Sequence, residues 1–202
     1  LLDGAAVQVI DGDAVHEASS DRELEQNLAL LLAQLPADVE AALRAPLFAA
    51  YRAGNPRTTL DDIQLSRRVN DTRRRRLVDY LRKCVRDCGR IRIERNRGAF
   101  IAMVRDEADF LEPIVADPDR WLASGSPLKQ GNTATLALIE HEGRKLVIKR
   151  YNIKGAAHAL SRCWRPSRAW HAWLEGHRLR FLGIATPRPL ALIERRFGPL
   201  RG

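Results

Sequence analysis

Leu146-Val147-Ile148-Lys149-Arg150-Tyr151 is a short β-branched run closed by a lysine, and its surroundings decide how the chain is read. Lys149 alternates with Ile148 and Val147 along a predicted strand, and a lysine turned inward is costly to bury unless an acid pairs with it. Just upstream lies a hairpin containing Gly131, and just downstream an amphipathic helix carries Glu175. That arrangement predicts a Lys149–Glu175 ion pair. The bland alternative is a lysine with its tip in solvent and an unrelated surface glutamate.

Around this run the order of elements is dense. Strands are predicted at 127–130, 133–140 and 145–151, the last two joined across His141-Glu142-Gly143. A helix is expected from about Ala156 and again over 167–182, where Trp170, Trp173, Leu174, Leu179 and Leu182 mark an apolar stripe with Glu175 beside it. Gly183-Ile184-Ala185-Thr186-Pro187 ends that helix, and 189–194 reads as a further strand. Within Lys129-Gln130-Gly131-Asn132-Thr133-Ala134-Thr135, the small residues would let backbone N–H groups approach a nucleotide. The same stretch also fits an ordinary hairpin turn. Strand, strand, strand, helix, strand is the order of a kinase small lobe.

Upstream, 5–10 reads as a short strand entering Asp11-Gly12-Asp13, a turn with two carboxylates. Ser20 followed by Glu23 is a capping box, and Leu24, Leu28, Leu31, Leu32 and Leu35 recur at helical spacing. Pro36 opens a second helix through Leu43, Leu47 and Tyr51, stopped by Gly54-Asn55-Pro56. From 58 to 76 the composition turns polar and basic and is read as a linker. A helix then carries Leu77, Tyr80, Leu81 and Cys84, a hairpin turns at Asn96-Arg97-Gly98, and a short helix is expected over 106–116 despite Pro113.

The chain's 202 residues are 45% hydrophobic and 29% charged, ordinary for a folded protein and not for a disordered one. No apolar run approaches the ~20 residues that cross a bilayer, and no basic-then-apolar leader opens the chain. No methionine precedes Met103, so a processed chain or, as the favoured expectation, a piece of a longer protein is read. Cys84, Cys88 and Cys163 lack zinc spacing and are read as reduced structural thiols. His158, His171 and His177 show no metal-binding pattern, and His171 and His177 are read as packing or surface residues. The net charge of +9, from 34 Lys+Arg against 25 Asp+Glu, points to an anionic partner. Nucleic acid, anionic lipid and phosphorylated glycolipid all satisfy that charge.

The segments Leu128 through Thr135, Val147-Ile148-Lys149-Arg150-Tyr151-Asn152-Ile153-Lys154-Gly155, Ser167-Arg168-Ala169-Trp170, and His177 through Ala191 together resemble the bacterial lipopolysaccharide core kinases. In that Kdo and heptose kinase family the fold is that of a protein kinase. The resemblance covers roughly 120 residues, weakly upstream of Leu128. It implies an α+β fold, a small lobe of antiparallel sheet plus one helix over 77–202. It further implies that Lys149 contacts the phosphates of ATP, that Glu175 pairs with it as the catalytic pair, and that Gly131, Asn132 and Thr133 cover the nucleotide. The catalytic-loop and metal-binding aspartates of this unit are expected beyond Gly202. Residues 1–57 look like the end of an upstream large lobe, in which Asp11 and Asp13 would hold Mg²⁺.

The resemblance implies a sugar acceptor, heptose or Kdo of the lipopolysaccharide inner core, and a cytoplasmic protein peripheral to the inner membrane. Arg67, Arg68, Arg73, Arg74, Arg75 and Arg76 would meet the anionic surface, at about 1 kcal/mol per cation, or stand as a solvated basic face. Two other readings remain. One is a noncatalytic module binding an anionic surface or nucleic acid, and the other is a pseudokinase scaffold. Nucleic acid is disfavoured, since aromatics are 6% of the chain and the tryptophans fall at helical spacing, not on a strand face.

Overall fold

Ser20 accepts the Glu23 N–H at 3.3 Å and so caps α1 (Asp21–Leu32). The computed structural model describes residues 2–3, 6–7, 20–96, 98–152, 165–197 and 200–201. Two compact units divide the chain, Leu1–Arg76 and Leu77–Gly202. In the first, β1 (Leu2–Asp3) pairs antiparallel with β2 (Ala6–Val7). Helix α1 is followed by α2 (Ala37–Gly54), which begins after Pro36, and by α3 (Asp62–Lys83), which runs across the boundary between the units. Leu28, Ala29, Leu32, Phe48, Leu60, Leu65 and Val69 form the first unit's core.

The stretch 58–76, read from its composition as a linker, is mostly this third helix. Asp61 Oδ1 accepts the Gln64 N–H at 2.7 Å while Gln64 Oε1 accepts the Asp61 N–H at 3.4 Å, a reciprocal cap. Leu65 and Val69, one turn apart, are fully buried. Two of its arginines serve buried acids. Arg68 pairs with Glu25 at 2.8 Å. Arg73 reaches Glu40 at 3.4 Å and also donates to the Leu35 carbonyl. Arg44 donates to both Glu40 oxygens, at 2.6 and 3.0 Å, and holds that carboxyl below its ordinary range.

The second unit is mixed α+β. Strands β3 (Ile91–Arg95) and β4 (Ala99–Val104) form the hairpin expected around 96–98, with Asn96 Oδ1 accepting the Gly98 and Ala99 N–H groups. After α4 (Ala108–Ala116) comes a helix that periodicity does not reveal, α5 (Pro118–Ser124), capped by Asp117. Three antiparallel strands follow, β5 (Ser126–Gln130), β6 (Ala134–His141) and β7 (Arg144–Tyr151). Glu142 and Gly143, both at positive φ, make the tight β6–β7 turn. The sheet is followed by α6 (Arg168–Phe181), capped by Ser167, then β8 (Ala191–Phe197) and β9 (Leu200–Arg201). The α6 end is closed by Gly183 at φ +73°, with Ile184 N–H on Leu179 O and Gly183 N–H on Arg180 O.

Strand β4 lies between two cores because its residues alternate. Phe100, Ala102 and Val104 join Ile91, Leu192 and Trp173 of α6. Met103 and Ile101 face the other way, with Leu111, Ile114 and Ile139 and, from β7, Leu146 and Ile148. The β5–β6–β7 sheet therefore turns its Ile139, Leu146 and Ile148 side inward and leaves its other side open.

Candidate functional site

Strand register sets out the open side. Leu136 on β6 stands opposite Lys149 on β7 and opposite Lys129 on β5, and Leu138 stands opposite Val147. Directly paired residues share a face, so Lys129, Leu136, Leu138, Val147 and Lys149 all lie on the side away from the core. Val147 is 56% exposed and Leu128 55%. This side of the sheet thus sets half-buried and exposed apolar residues beside lysines, chemistry able to meet a flat ligand that carries negative charge.

The loop 131–133 is fastened at one end of this face. Asn152 Nδ2 donates to the Gly131 carbonyl at 2.8 Å and to Thr135 Oγ1 at 3.1 Å, and the Asn152 N–H donates to the Thr133 carbonyl at 3.1 Å. The residue after the Lys149-Arg150-Tyr151 run thus ties the loop to the strand that carries the lysine. Sequence alone did not single out Asn152 for this role. Its position directly after β7 was the available signal.

Lys149 is exposed, and its ammonium lies 4.7 Å from the centroid of the Tyr151 ring. The expected pair with Glu175 is not formed. Glu175 instead meets Arg178 at 3.3 Å, with both side chains about half exposed. The cause is the face that α6 buries. Trp173 and His177 are 3% and 5% exposed, and at 100° per residue position 175 lies about 200° round from each. Trp173 Nε1 also donates to the Cys84 carbonyl at 2.9 Å, fixing the helix's rotation. Lys149, meanwhile, stands on the sheet face turned away from the core.

Asp11 and Asp13, expected to hold Mg²⁺, lie outside the described residues, as do His158, Cys163 and the helix expected from about Ala156. Among the described residues no three His, Cys, Asp or Glu side chains cluster as a metal site. Cys84 and Cys88 are free, and burial raises the Cys84 thiol to about 11, which makes it inert. Of the six arginines assigned to an anionic surface, Arg68 and Arg73 are committed to Glu25 and Glu40, while Arg67, Arg74 and Arg75 are exposed. Arg150, beside Lys149 but on the opposite side of β7, joins Arg195 on Asp119 and lowers that carboxyl's pKa. No helix among the described residues is long and apolar enough to cross a membrane. Comparison with protein-family models, curated proteins and solved structures gives no match.

Proposed function

We propose that the Leu77–Gly202 unit is the nucleotide-binding small lobe of an ATP-dependent kinase, within a longer protein that phosphorylates heptose or Kdo of the lipopolysaccharide inner core. The observation that carries this reading is the open sheet face, where the exposed apolar Val147 lies two residues from Lys149 and a loop pinned by Asn152 stands at one end. A purine stacks on such an apolar strip, and its phosphates extend toward the lysine and the loop amides. Lys149 neutralises nonbridging phosphate oxygens, which is most of what phosphoryl transfer asks of this lobe. Without Glu175 as its partner, Lys149 rests on the Tyr151 ring and swings from it to the phosphates when nucleotide enters. Transfer breaks the bond between the γ-phosphorus and the β,γ-bridging oxygen and forms one to the sugar hydroxyl, whose proton passes to a base supplied by a large lobe. In this reading Mg²⁺ accompanies the nucleotide, and the protein works at the cytoplasmic face of the inner membrane.

The test is ATP–Mg²⁺ binding by the whole chain, measured calorimetrically for wild type and Lys149→Met. A loss of tenfold or more in affinity, about 1.4 kcal/mol, is expected for the variant. No binding by wild type, or equal binding by both, overturns the reading. The noncatalytic alternative draws on the exposed Arg67, Arg74 and Arg75. It would give attachment to anionic vesicles with steep salt dependence and indifference to Lys149→Met.

A further inference from the structure

The nucleotide reading, on which this inference rests, assigns one cation to the phosphates, yet the open face sets a second lysine level with it. Lys129 and Lys149 occupy the same cross-strand row, one on each side of Leu136. Two interstrand spacings separate them, about 10 Å between backbones, within the combined reach of two lysine side chains.

Both side chains can be traced toward the loop's end of the sheet. A Cβ added to Gly131 would stand 3.7 Å from Lys129 Cε, so the Lys129 stem lies along the loop's glycine. Lys149 points its ammonium at Tyr151, whose cross-strand partner is Ala134, the first residue after the loop. Among the described residues neither lysine has a carboxylate within ion-pair distance, although Glu25, Glu40, Glu107 and Asp119 are all engaged by arginines. Two unneutralised ammonium groups in one cross-strand row repel each other until an anion joins them.

We infer that Lys129 is a second polyphosphate ligand, closing on the triphosphate from the β5 side as Lys149 closes from the β7 side. The bulge between Pro127 and Lys129 matters here: the extra residue restores Lys129 to the open face opposite Leu136, after Pro127 has paired with the inward-facing Ala137. The fold thereby offers a clamp for a polyanion where the missing glutamate pair would have left a single mobile charge.

The experiment compares ATP, adenosine and inorganic tripolyphosphate binding by the whole chain in wild type, Lys129→Met, Lys149→Met and Lys145→Met. Lys145 shares the face but sits opposite Glu140, four residues along β7 from Lys149. ATP affinity is expected to fall about tenfold in Lys129→Met, with adenosine affinity unchanged, Lys129→Arg restoring the loss, and Lys145→Met near wild type. Tripolyphosphate should compete with ATP in wild type and lose that ability in Lys129→Met. A Lys129→Met chain that binds ATP as wild type does, while Lys149→Met is impaired, overturns the second ligand and leaves the nucleotide reading standing. Equal weakening toward ATP and adenosine in Lys129→Met overturns it as well, because the residue would then only shape the face. A wild-type chain that binds neither ATP nor tripolyphosphate removes both.

Discussion

Mild acid should destabilise the second unit, because of His177. The ring is 5% exposed, packed edge-on to Trp173 with centroids 4.3 Å apart, and its Nδ1 lies 3.2 Å from the Tyr80 hydroxyl. Its Nε2 is buried without a partner. Burial first, then the positive charges of Arg180 and Arg188, lower its pKa from the ordinary 6.5 to about 4. The folded state therefore holds the ring neutral, while the unfolded chain takes up a proton below 6.5. Stability is fully present above 6.5 and falls as pH descends toward 4. At about 1.4 kcal/mol per pH unit, the descent from 6.5 to 5 costs about 2 kcal/mol. That lowers a urea midpoint by about 1 M for a unit of this size. All four tryptophans lie in the second unit, so their fluorescence reports its unfolding alone. Staying above pH 5 keeps Glu107 and Asp119 out of the measurement, since their arginine partners hold both below the usual carboxylate range. In His177→Gln the midpoint should be nearly level between pH 7 and 5. An equal fall in variant and wild type would refute the reasoning, as would a proton resonance of His177 titrating near 6.5 in the folded protein.

Glu40→Ala should destabilise the first unit by about 2–3 kcal/mol, read by far-ultraviolet circular dichroism. Glu40 is almost wholly buried and its loss strands Arg44 and Arg73, whose partial exposure to water moderates the cost. Gly125→Ala should lower stability by about 1–3 kcal/mol by tryptophan fluorescence. The added Cβ would meet the Leu138 carbonyl at 2.8 Å and Ile139 Cγ2 at 2.7 Å, and the carbonyl belongs to backbone that cannot step aside. Asn152→Ala should weaken ATP binding about fivefold while adenosine binding holds, because in the proposed reading the loop that Asn152 pins meets the phosphates. Equal losses for the two ligands would count against that role.

Much of the second unit was legible because local chemistry and packing agree. Glu142-Gly143 supplies the positive φ values of a tight hairpin, Gly183 the reversed backbone of a helix end, and the alternation in β4 and β7 the two sides of their sheets. The third helix was hidden by its arginines. Their number suggested a solvated linker, whereas the Asp61–Gln64 cap and the Leu65–Val69 spacing mark a helix whose Arg68 and Arg73 turn inward to acids. Helix α5 is too short for periodicity to reveal, leaving only its Asp117-Pro118 start. The Lys149–Glu175 pair failed for a tertiary reason. Once His177 joins Trp173 on the buried side of α6, Glu175 must face water, and nothing local to either residue announces that choice. Lys129 needed strand register, including a bulge, before its place across Leu136 from Lys149 appeared.

The claim on which the rest depends is that the open face of the β5–β6–β7 sheet receives a nucleotide, and backbone amide shifts of the ¹⁵N-labelled chain titrated with ATP–Mg²⁺ address it residue by residue. Saturable changes should concentrate at 130–134 and at Leu136, Leu138, Val147 and Lys149. Shifts that never saturate, or that gather on the exposed side of α6 or in the Leu1–Arg76 unit, would contradict it.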